Sequence, residues 1–86
     1  MKKANLLEMR KLKLIWDFRG PTNKHTAEHH LIHLKEYINL NKLDIEKTGI
    51  ETLNEMHSLV YLVVEESKMK SIRDTLKPHR GQIFPS

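Results

Sequence analysis

The sequence predicts an α+β domain: an antiparallel sheet with two helices on one face, ordered β-α-β-β-α with a weak last β segment. Three patterns carry this. Leu12, Leu14, Trp16 and Phe18 alternate with Lys13, Ile15, Asp17 and Arg19, the period of two that marks a strand with one core face. Ala27, Leu31, Leu34 and Ile38 recur at helical spacing and form one apolar stripe. Residues 50 to 65 are rich in β-formers and too long for one average strand, which predicts a hairpin.

Gly20-Pro21 ends the first strand, because proline cannot donate to a ladder and glycine breaks the run. Thr22 or Asn23 can cap the first helix, expected to reach about Asn41. Residues 42–49 read as a polar connection, with Leu43 and Ile45 tucked over the sheet edge and Thr48-Gly49 as a turn. The hairpin strands are expected at about 50–55 and 58–65. In the second of these, Val60, Leu62 and Val64 take one face, and Leu59, Tyr61 and Val63 take the other. Ser67 is the expected cap of a short helix bearing Met69, Ile72 and Leu76, which Pro78 stops. Gln82-Ile83-Phe84 suits a short last strand. Residues 1–10 read as an N-terminal extension and 11–86 as a single α+β domain.

This element order resembles the ferredoxin-like split βαβ arrangement, a likeness of fold alone. With both helices on one face, Ile15, Leu59, Tyr61 and Val63 are expected to stand open to water on the other. Two such sheets packed face to face would bury them, as in the dimeric α+β barrel of many small bacterial proteins. A homodimer through the open sheet face is therefore the expected assembly; cover by a helix or by the N-terminal extension is the alternative.

At 86 residues the chain is too short for a second sizeable core. No run approaches the ~20 apolar residues of a membrane span, and the N-terminus lacks the apolar stretch and cleavage site of a signal peptide. Cysteine is absent, which excludes disulfides, thiolate metal sites and thiol nucleophiles and points to a reducing cytoplasm. The net charge of +4 comes from scattered basic residues without interleaved aromatics, so the pattern argues against nucleic acid as a partner.

Topology predicts where a site lies. The end of the first strand, the hairpin turn and the end of the second helix should meet at one rim. That brings together Arg19, Lys24, His25, His57, Lys77, His79 and Arg80, with Asp17 and Glu55 as the acids. Arg19, His25, His79 and Arg80 suit a small anionic ligand, a carboxylate or phosphate, with Arg19 or Arg80 making bidentate contacts. His57, with Asp17, is the candidate for acid–base chemistry near neutral pH.

The first helix is rich in histidine. His25, His29 and His33 repeat every four residues, so an adjacent pair such as His29 and His33 could chelate a divalent metal, though no further ligand is compelled. His25-Thr26-Ala27-Glu28-His29 matches the H-x-x-E-H metalloprotease pattern, but in a domain too small to wrap a peptide. His30 flanks the core stripe, where it would either give one N–H to a carbonyl or act as a pH switch. Trp16 and Phe18 read as core anchors, and Met56 and Met69 as core filler. The sequence thus expects an anion-binding protein, with a non-catalytic interaction module and a metal-binding helix as alternatives. It does not decide whether the chain is an enzyme, and no cofactor is specified.

Overall fold

A computed structural model describes residues 10–45 and 47–84. All of the extension expected at residues 1–10 except Arg10 lies outside them. The elements are β1 (Lys11–Arg19), α1 (Asn23–Leu40), β2 (Lys47–Asn54), β3 (His57–Glu65), α2 (Glu66–Leu76) and β4 (Arg80–Phe84). The strands form one sheet in the order β2-β3-β1-β4, antiparallel throughout. This is the expected ferredoxin-like α+β fold. Among the described residues no helix is long and apolar enough to cross a membrane.

The core lies between the sheet and the two helices. Leu14, Trp16, Val60, Leu62 and Val64 from the two central strands pack against Ala27 and Leu34 of α1 and Ile72 of α2. The predicted alternation and helical stripe supply nearly all of these residues. Trp16 also gives its indole N–H to the Leu76 carbonyl (3.0 Å), satisfying an acceptor that the end of α2 leaves free.

Several local expectations change. Asn23 is the first helical residue, not a cap, and its side chain turns inward. It donates to the carbonyls of Gly20 (2.6 Å) and Glu55 (2.7 Å) and accepts from Ser58 Oγ, so both polar ends of this buried amide are satisfied. Neither Thr22 nor Ser67 makes a capping bond; the cap position of α2 is Glu65, two residues before Ser67, and the helix begins at Glu66. Met56 is exposed in the hairpin turn because its main chain is held on both sides: Asn54 Oδ1 accepts from its N–H (2.8 Å), and its carbonyl accepts from Gly20 (2.8 Å). Gly20 has φ 107°, a conformation that lets β1 turn sharply into α1.

Lys47–Gly49, expected in a connection, are strand. Gly49 sits opposite Tyr61 in the β2–β3 register, and the Tyr61 ring lies over it where a side chain would otherwise project. Glycine reads as a turn signal in sequence; here the aromatic across the ladder supplies the missing surface.

The second face also differs from expectation. Ile15, Leu59, Tyr61 and Val63 form their own cluster with Phe84, and Ile15 and Val63 are 1% and 0% exposed in the single chain. Lys13 helps wall it, with its ammonium 4.4 Å from the Tyr61 ring centroid and paired to Glu51 at 3.0 Å. These four side chains, expected to stand open to water, are therefore buried within the single chain.

The Tyr61–Gly49 contact predicts that Gly49→Ala costs about 1–3 kcal/mol, because the new methyl overlaps a buried ring. Urea unfolding measures the loss, and most of it should disappear in a Tyr61→Val background.

Candidate functional site

β1 is the central support of the site. Its odd-numbered residues face away from the helices, and they end in Asp17 and Arg19. In the β1–β3 register Arg19 stands opposite His57, with Asp17 one diagonal step away on the same face. β4 then brings Arg80 alongside β1, opposite Ile15.

Asp17 joins these segments. Its Oδ1 accepts from His57 Nε2 at 2.7 Å, and its two oxygens take a fork from Arg80: Nε to Oδ2 at 2.8 Å and Nη2 to Oδ1 at 3.1 Å. The side chains of Asp17 and His57 are only 13% and 12% exposed. The Arg80 hydrogen bonds hold the Asp17 carboxyl well below the usual carboxylate range. Partial burial opposes this, and the His57 bond adds to it. The same contact raises Arg80 above its ordinary value.

His79 completes the seam. Its main-chain N–H donates to the Ile15 carbonyl (2.9 Å), and its ring Nδ1 accepts from the Asp17 main-chain N–H (2.8 Å). The imidazole continues the ladder where Pro78 cannot, and an accepting Nδ1 leaves the ring's proton on Nε2.

Asp17, His57, His79 and Arg80, four residues from three separate segments, are thus connected by hydrogen bonds. Arg19 adjoins them, exposed and with no ion pair among the described residues. Arg80 differs from its expected role. Its fork is committed to Asp17, so it fixes the carboxylate and does not stand free as an anion clamp.

His25 is not brought into this cluster. It is exposed on α1 with its ring 5.1 Å from that of His29, which lies 6.2 Å from His33; His33 pairs with Glu36 at 3.1 Å. Among the described residues no group of three or more His, Asp or Glu side chains is arranged to hold a metal.

Sequence reasoning missed the rim's structural partner, Asn23, whose only signal was a cap-forming residue after Gly-Pro. The carbonyl bond expected for His30 is also absent. Its ring lies 5.1 Å from Trp16 and 5.3 Å from Phe18, and its Nε2 is buried without a partner. Burial, and then the nearby His33 and His79, lower its pKa.

Two pH dependences follow. A His30 that resists protonation contributes stability that is complete above its unfolded value of about 6.5 and is lost as pH falls toward the lower folded value. His30→Leu should flatten that part of the stability–pH curve in urea titrations. For Asp17, the contribution is complete above about pH 4 and drains away as pH falls further. Asp17→Asn should cost about 2–3 kcal/mol at neutral pH, and its difference from the native chain should shrink in strong acid. No protein-family model, curated protein or solved structure matches this chain.

Proposed function

We propose that this chain binds a small carboxylate or phosphate where β1, the β2–β3 turn and β4 meet, on the sheet face away from the helices. Arg19 is its cationic contact and His57 is the group that moves a proton. The observation that carries this is the Asp17–His57 hydrogen bond.

A carboxylate holding Nε2–H selects one tautomer and leaves the basic lone pair on Nδ1. Among the described residues His30 Nε2 is the only buried side-chain nitrogen or oxygen without a partner. His57 Nδ1 makes no hydrogen bond among the described residues and is the nitrogen that would take a proton from a bound molecule. Asp17 is a positioning residue: with the Arg80 fork upon it, it stays ionised and fixed while His57 works.

The electrostatics favour an anion. Asp17 and Arg80 cancel, and Arg19 leaves the rim positive beside His57. Its guanidinium suits bidentate contact with a carboxylate or phosphate, and the His79 Nε2–H is a further donor at the same end.

Titration with inorganic phosphate and with simple carboxylates, followed by NMR, tests this reading. The expected result is that the shifts centre on Arg19, His57 and His79 and weaken at least about tenfold in Arg19→Gln, a change of 1.4 kcal/mol or more. Because Arg19 is exposed, that variant should fold as the native chain does. Equal binding by both proteins would remove Arg19 from the site, and shifts spread over all surface lysines would refute a site here.

A further inference from the structure

β2 and β4 are the two edges of the sheet, and they are built differently. β2 carries the charges of Lys47 and Glu51, and its register slips between Thr52 and Asn54, features that keep an edge from finding a new neighbour. After Arg80, β4 is uncharged and in unbroken register with β1.

The main chain of β4 is half used. The Asp17 N–H and the Ile15 carbonyl both reach His79, so the odd-numbered residues of β1 turn their main-chain groups toward β4. Their register partners are Arg80, Gln82 and Phe84. The N–H and C=O groups of Gly81 and Ile83 therefore point out of the sheet, with no partner among the described residues.

We propose that β4 pairs antiparallel with β4 of a second copy of this chain, about a two-fold axis through Gln82, joining the two four-stranded sheets into one. In that register Gly81 stands opposite the second copy's Ile83, and each such pair exchanges both of its hydrogen bonds. Every free main-chain group of the strand is then used.

The side chains fit the same register. Ile83 is 63% exposed in the single chain, a branched apolar group left in water. Opposite Gly81 it meets a residue with no side chain, at the mouth of a groove of about 420 Å³ lined by Leu12, Leu14 and Met69. Tyr61 over Gly49 is the same device within one chain. On the other face Arg80, the strand's one charge, lies across from the second copy's Phe84 and not from a like charge. Sliding two residues one way sets Gly81 against Gly81 and leaves Ile83 uncovered. Sliding the other way carries Gly81 past Phe84, the end of the second copy's strand, and leaves it without a strand partner. The seam is short, so the dimer is reversible.

Sedimentation equilibrium of the full chain over a wide concentration range is the first arm of the test. The expected result is a monomer–dimer equilibrium, weakened about tenfold or more by Ile83→Lys because the two-fold axis counts each change twice. The second arm uses the absence of native cysteine. Gln82→Cys places thiols across the axis and should cross-link on mild oxidation, whereas Lys70→Cys on the outer surface of α2 should not. A chain that stays monomeric, a dimer indifferent to Ile83→Lys, or equal cross-linking of the two cysteine variants would each overturn the proposal.

Discussion

A single ionised carboxylate, that of Asp17, ties the end of the central strand to both of its neighbours. An unpaired carboxylate at this depth would be costly; with a guanidinium fork and an imidazole N–H upon it, it becomes the joint between β3, β1 and β4. The consequences extend beyond this pair. Arg80 is drawn to the second face, which starts β4 in register, and His57 is turned so that Nε2 is held while Nδ1 has no partner among the described residues. His79 locks the same seam through the main chain.

The fold was legible because its determinants are local and repetitive. Alternation over β1, the stripe on α1 and the paired apolar faces of β3 each depend on one period, and the sheet order follows from right-handed crossovers. What the sequence concealed depends on a single contact between distant residues. Gly49 looks like a turn until Tyr61 is placed across from it. Asn23 looks like a cap until Glu55 and Ser58 arrive from the hairpin. The burial of Ile15 and Val63 on the second face likewise has no periodic signature.

The site was legible in part, for the same reason. Topology alone was enough to bring Asp17, Arg19, His57, His79 and Arg80 to one end, since each lies at a strand terminus or in a turn. Residue type could not divide the roles among them. A free arginine and a paired one read alike, and only the geometry separates Arg19, facing solvent, from Arg80, bound to Asp17. His25 lies on α1 with its ring against that of His29, and no hydrogen bond among the described residues joins it to Asp17, His57, His79 or Arg80.

The dependence of His57 on Asp17 is the centre of this account, and ring-nitrogen NMR of the histidines reads it most directly. At about pH 9, where imidazoles are neutral, His57 should be a single tautomer, protonated at Nε2 and bare at Nδ1, and Asp17→Asn should relax it to the ordinary mixture. A proton found on Nδ1 in the native chain, or a tautomer unmoved by Asp17→Asn, would contradict it.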